Sequence, residues 1–208
     1  MTDINVWLKD LLPRTPGVSR TVATREFRLA AREFFSQSRA WRETLPPVAV
    51  VADQAEYTPV PTDPTNSELL AVDAVEFNGR PLNKLAGRPP GTDTTGISPW
   101  AWFSPEPGAV SVWPTPNQDQ ADGLRFHISL VPTITATVLP DWVFQRYYDA
   151  LLDGTLGRLY AHPAKAYSNL TGAEYHLRRF RTSIQQASGD AKQGHNNAQN
   201  WSFPRFGK

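Results

Sequence analysis

No cysteine occurs in the chain. A disulfide framework, a thiolate metal site and a cysteine nucleophile are excluded together. Long apolar runs are also missing, and nothing approaches the roughly 18 consecutive apolar residues of a membrane span. Neither sign of charge dominates: 21 Lys+Arg stand against 20 Asp+Glu, a formal net charge of +1. Whole-chain electrostatics therefore favour neither nucleic acid nor membrane as a partner. The opening stretch MTDINVWLKDLLPRTPG mixes charges and has no apolar h-region, so it reads as no signal peptide. The expectation is a protein made and folded in the cytoplasm.

Signatures of chemistry are equally scarce. The four histidines, His127, His162, His176 and His195, include no i, i+4 pair, and there is no H-E-x-x-H. The Asp149/Asp153 pair is spaced for one helix face, with Arg146 three residues before Asp149. Such a pair reads as solvated or salt-bridged sooner than as a general acid and base. G-x-S-x-G, the phosphate-binding G-x-x-x-x-G-K-[ST] and G-x-G-x-x-G are all absent. The sequence therefore offers no catalytic, cofactor-binding or metal residue, and the expectation is no enzyme and no cofactor.

What is present suffices for a core: 208 residues, 40% hydrophobic and 11% aromatic. Acidic residues outnumber basic ones between Pro46 and Asp141, and the flanks are basic in compensation. Hydrophobic period changes at the same places. Residues 5–12 predict a short helix stopped by Pro13. Residues 21–42 predict a long one, with Phe27, Ala31, Phe34 and Phe35 on one stripe, Thr21 or Thr24 as its cap, and Pro46–Pro47 forbidding continuation.

From Val48 short strands follow at roughly ten-residue spacing, which predicts an antiparallel sheet or small sandwich. Val48-Ala-Val-Val reads as a buried strand and residues 56–60 as an edge strand weakened by proline. Residues 69–77 and 81–85 read as the arms of a hairpin, with Asn78-Gly79 as its turn. Residues 87–98 read as a loop, and residues 100–103, 109–113 and 124–131 as further strands.

Pro140 opens a second helical region, where Gly154 and Gly157 imply close packing against another backbone. His162-Pro163 breaks it, and residues 170–187 predict the last helix, with Ala173, Leu177, Phe180 and Ile184 inward. The predicted fold is therefore α+β: a helical bundle built from both ends of the chain with an inserted antiparallel β-domain and an extended C-terminal arm. Its parts are residues 1–45, 46–139, 140–187 and 188–208.

Two sets of residues point outward. Arg25, Arg28 and Arg32 share the long N-terminal helix with Glu26 and Glu33, and Arg178, Arg179 and Arg181 crowd the last helix. These arginines fit a solvated face, a subunit interface or the lining of a DNA channel read through phosphates. The arm ends in Trp201, Phe203, Pro204, Arg205 and Phe206 behind a polar lead-in, residue types that dominate interface energetics. Docking on a partner is the favoured reading of the arm, beside fold-back or a mobile end. Trp100, Trp102 and Trp113 offer a thinner alternative, a sugar platform of a glycan-binding hydrolase, against the commoner fate of core burial.

At the second helical region a resemblance emerges. Leu139-Pro-Asp-Trp142, Tyr147-Tyr-Asp-Ala-Leu-Leu-Asp-Gly154-Thr-Leu-Gly-Arg158-Leu-Tyr160, Pro163-Ala-Lys-Ala-Tyr167 and Glu174-Tyr-His-Leu-Arg-Arg-Phe180, with the earlier Arg32-Glu-Phe-Phe-Ser-Gln-Ser-Arg-Ala-Trp41, resemble the pattern of tailed-bacteriophage head-to-tail adaptor (connector or neck) proteins. Tyr167 stands where that pattern has Trp. The resemblance covers the helical regions, a little under half of the chain. It implies a virion protein of the neck, a ring usually of twelve copies beneath the portal protein. Its helices would surround a DNA channel, the arm would reach onto the portal, and a platform would form for tail or nozzle proteins. A tail-side neck, tail-tube or completion protein is the alternative.

Overall fold

The computed structural model of the chain describes residues 1–89, 95–96 and 98–193. In chain order the N-terminal elements are β1 (Thr2–Asp3), α1 (Asn5–Leu11), a 3-10 turn (Leu12–Arg14) and α2 (Arg20–Ser38). The strands β2 (Arg42–Thr44), β3 (Val48–Val50), β4 (Glu56–Tyr57), β5 (Ser67–Phe77), β6 (Arg80–Pro81) and β7 (Asn83–Lys84) follow. Then come β8 (Thr95–Gly96), β9 (Ala101–Phe103), β10 (Val110–Trp113), β11 (Thr115–Pro116), β12 (Gln120–Pro132) and β13 (Val138–Leu139). The chain continues with α3 (Asp141–Tyr160) and α4 (Leu170–Lys192).

The largest sheet runs β2-β12-β5-β6, with β3 also on β12. The strand β12 is its spine, antiparallel to β2, β3 and β5. The β12–β5 ladder shifts register twice, between His127 and Ile128 and between Ser129 and Leu130. Such irregularities bend a sheet, and this one curls. Asn78 and Gly79, at φ 51° and 73°, turn the β5–β6 hairpin with Phe77 opposite Arg80, as the two-residue loop requires. A second sheet runs β4-β10-β9-β7, with β4 at its edge.

The expected helical bundle with an inserted β-domain is not what forms. The fold of the described residues is mixed α+β, with four α-helices and several sheets around one core. Helix α2 packs on β12 as well as on α3 and α4. Phe27, Phe34 and Phe35 of α2 therefore share a hydrophobic cluster with Phe126, Ile128 and Leu130 of β12 and with Phe180 of α4. The physical reason lies in area. An apolar helix stripe is satisfied by any apolar face, and the inward face of a curled sheet offers more of it than a helix does.

Local corrections follow from the same packing. Helix α2 stops at Ser38, because Arg39 takes a left-handed C-cap at φ 51° and returns its N–H to the Phe35 carbonyl. Residues 39–42, expected as the end of this helix, lie outside it, and Arg42 opens the strand β2. The cap at the start is Ser19, whose hydroxyl accepts from the Val22 N–H, rather than Thr21 or Thr24. In β3 only Val50 is buried, so this is not the buried strand expected. The return arm of the hairpin is split: β6 stays with β5, while β7 crosses to the second sheet and runs parallel to β9. With the parallel β8–β11 pair, the β-structure is not purely antiparallel. Helix α4 runs to Lys192 with Ala191 buried, so the first residues assigned to the arm belong to the helix.

The expected close packing of the two glycines against another backbone is met at Gly157, whereas Gly154 packs against a side-chain ring. A Cβ on Gly154 would stand 2.6 Å from the Phe180 ring, and one on Gly157 would stand 2.7 Å from Leu177 Cγ and 3.2 Å from its backbone nitrogen. Both glycines let α3 and α4 approach closely.

Candidate functional site

Three helices meet in a cluster of charge. Glu26 of α2 is buried, and Arg158 and His162 point at it from 3.9 and 3.7 Å. Arg158 also grips Glu33 at 2.5 Å. These side chains and Leu177 line an open cleft of ≈ 380 Å³. One helical turn away, the buried Asp153 forms an ion pair with Arg179 Nε at 3.1 Å and pairs with His176 Nδ1 at 2.7 Å. The Arg179 pKa is raised, first by its hydrogen bond to the Tyr175 hydroxyl and then by the Asp153 carboxylate. Asp153 is matched by an imidazole and a guanidinium, whereas Glu26 stands beyond hydrogen-bond distance of Arg158 and His162, and the buried Arg158 Nε has no hydrogen-bond partner among the described residues. Both networks tie the helices to one another through charge.

Asp149 and Asp153 do not form a pair of matched groups: Asp149 is exposed and Asp153 is buried among α4 side chains. Arg146, expected near Asp149, pairs with Asp190 of α4 at 2.8 Å. Among the described residues, no group of three or more His, Asp or Glu is arranged to hold a metal ion.

The outer face of the curled sheet carries a second polar string. Thr44 Oγ1 lies 3.0 Å from His127 Nδ1, and His127 Nε2 lies 3.0 Å from Glu76. Two positions along, Ser129 donates to Asp73, which Arg39 and Arg42 flank at 3.6 and 3.8 Å. A hydroxyl, an imidazole and a carboxylate in line are the parts of a nucleophilic triad. Here they sit side by side on three paired strands, with Thr44 opposite His127, so they bridge the ladder as cross-strand pairs do.

The arginines proposed from the sequence divide sharply. Arg28 donates to the Ala136 carbonyl at 2.7 Å, and Arg32 donates to the Pro132 carbonyl at 2.7 Å and pairs with Glu68. Both pin α2 to the end of β12 and the segment that follows it. Arg179 is held by Asp153. Arg25, Arg178 and Arg181 are exposed, and their side chains have no hydrogen-bond or ion-pair partner among the described residues. Trp201, Phe203, Pro204, Arg205 and Phe206 lie outside the described residues, as does His195.

The sugar platform does not form. Trp102 and Trp113 are buried at 1% and 8% exposure, and Trp100 alone is open at 52%. Lys84 covers the Trp102 ring at 4.9 Å.

Sequence reasoning passed over one surface. Ala52 N–H donates to the Asp119 carboxylate at 2.7 Å, and Asp53 N–H to the Pro116 carbonyl at 2.8 Å. These bonds bring residues nearly seventy positions apart to the tip of β12. Asp53 and Asp122 take left-handed backbone at this turn-rich end, and only the long-range bonds reveal that residues 52–53 meet residues 116–119 there.

None of the described helices is long and apolar enough to cross a membrane. A protein-family model, described as SU10 adaptor protein, matches residues 1–202. No curated protein matches the chain.

Proposed function

The chain belongs to the SU10 adaptor family, and from that premise we propose that it is the head-to-tail adaptor of a tailed bacteriophage. An adaptor of this family is a virion component that contacts other phage structural proteins. In the reading advanced here, copies of the chain form a ring on the portal vertex, with twelve copies as the working number. The ring continues the DNA channel and presents a platform to tail or nozzle proteins. The function is non-enzymatic assembly.

The family match over nearly the whole chain carries this reading. Two features of the molecule support it. Every buried charge described above is spent on holding helices together, which suits a mechanical part. The segment after Gln193 carries three aromatics, Trp201, Phe203 and Phe206, and is long enough to reach a partner. A ring would repeat such a contact with avidity.

Co-sedimentation with DNA-filled, tail-less capsids tests the proposal. The full chain is expected to bind, and a chain lacking residues 194–208 is expected to stay in the supernatant. The cut belongs after Gln193, because Ala187 and Ala191 are core residues of α4. Failure of the full chain to bind would sink the portal-docking reading and favour a tail-side component.

A further inference from the structure

We infer that neighbouring copies of this chain join through two unlike surfaces: the outward face of α4 on one copy and the β12 tip on the next. The inference rests on the adaptor reading and names the contact by which the ring would close.

The first surface is basic. Arg178, Arg181, Gln185 and Lys192 recur at i, i+3, i+7 and i+14, so they line one stripe of α4. All four are exposed, and the three cations have no ion-pair partner among the described residues. Arg178, Arg181 and Gln185 border a groove of ≈ 360 Å³ with Leu177 and the exposed Glu174, one turn before Arg178, so the stripe is basic on balance and carries one carboxylate at its start.

The second surface is acidic. Asp53, Asp119 and Asp122 are exposed at the tip of β12, and no cation lies within ion-pair distance of them among the described residues. Val48 and Val51 flank them at 40% and 47% exposure. A charged patch with an apolar border is the composition of a specific protein interface. The tip is also far from the helices. Arg32 of α2 touches Pro132 at one end of β12, and the acidic cluster stands at the other, up to ~40 Å away at the usual rise per strand residue.

Neither patch can be its own partner. An isologous contact would set arginine against arginine or aspartate against aspartate. Two complementary patches at separate places on one molecule give a heterologous contact, and repetition of that contact closes a ring when its rotation permits. Nucleic acid fits the basic stripe less well. Three cations spread over ~21 Å of helix are sparse against a duplex carrying a charge every ~1.7 Å. They match three carboxylates one for one.

Charge reversal tests the contact on the full chain, with copies bound per DNA-filled, tail-less capsid and mass in solution as readouts. Arg178→Glu/Arg181→Glu is expected to weaken association at least tenfold, and Asp53→Lys/Asp122→Lys likewise. An equimolar mixture of the two variants is expected to recover wild-type assembly, because alternating copies restore opposite charge at every contact. Asp53→Asn/Asp122→Asn keeps residue types that tolerate the left-handed turns and should weaken association by a smaller factor. Thermal melting of each variant within a few degrees of wild type separates interface loss from misfolding.

Normal assembly by either reversed variant overturns the inference, as does a mixture that fails to recover. Loss of short-duplex DNA binding by the arginine variant with intact assembly would make the stripe a DNA face instead. In these cases wild-type capsid binding would leave the adaptor reading standing. Absence of wild-type association both in solution and on capsids would remove the two together.

Discussion

Replacing Gly154 with alanine should destabilise the protein, although alanine is the better helix former. In an open helix interior the change would gain about 1 kcal/mol. Here the new methyl carbon would meet Phe180 Cε2 at 2.6 Å, with Cδ2 and Cζ at 2.8 and 2.9 Å. Carbon atoms rest at roughly 3.5–4.0 Å, so the ring must retreat by about 1 Å. It has little room to do so. Phe180 is 1% exposed, and the Phe34 ring stands behind it at 6.1 Å between centroids. Overpacking of this kind costs about 1–3 kcal/mol, which leaves a net loss of up to ~2 kcal/mol.

The sharper test is a double-mutant cycle. Phe180→Ala alone should cost about 3–5 kcal/mol through the cavity it opens. In that background the clash is gone, and Gly154→Ala should now stabilise by ~1 kcal/mol. The same substitution thus changes sign between backgrounds, a coupling of about 2 kcal/mol. Urea unfolding followed by tryptophan fluorescence would measure it. Equal shifts of the midpoint in both backgrounds, or a stabilised Gly154→Ala single variant, would refute the close helix contact.

Two further outcomes separate structural from free groups. Arg32→Ala strips the Pro132 carbonyl and Glu68 of a donor and should cost about 1–2 kcal/mol, whereas Arg25→Ala should change stability by less than ~0.5 kcal/mol in the same denaturant assay. Stability should also decline in alkali. Burial, and then the hydrogen bond donated to Asp10, push the Tyr148 pKa up from 10.0 to about 12. The unfolded chain therefore loses its phenol proton first. The contribution is whole below pH 10 and is lost between pH 10 and about 12. Burial also raises Tyr57 and Tyr147, so Tyr148→Phe should flatten this limb of the pH profile without abolishing it.

Much of the local structure was legible in the residues. Asn78-Gly79 announced a hairpin because both positions accept positive φ, and the hairpin is there. Leu124 to Val131 announced a strand, and β12 contains them. Pro140 announced the start of α3, though it stands as the N-cap rather than inside the first turn. The stop of α2 was not legible. Arg39 adopts a left-handed cap that glycine or asparagine would have advertised, and only the pairing of residues 42–44 with β12 compels it. The arginines show the same limit at the surface. Arg28 and Arg178 look alike in the sequence, yet one reaches the Ala136 carbonyl and the other faces solvent.

By itself the sequence excluded cysteine chemistry and determined most helical and extended stretches and the family pattern in its helices. These rest on residue type and short-range period, which act within a few positions of the chain. Only the tertiary structure decided that α2 lies on the sheet instead of in a separate bundle. It alone decided that Asp153 is buried between an imidazole and a guanidinium, and that Ala52 meets Asp119 at one tip. Those outcomes depend on which apolar faces meet across a hundred residues, and an apolar stripe does not specify its partner.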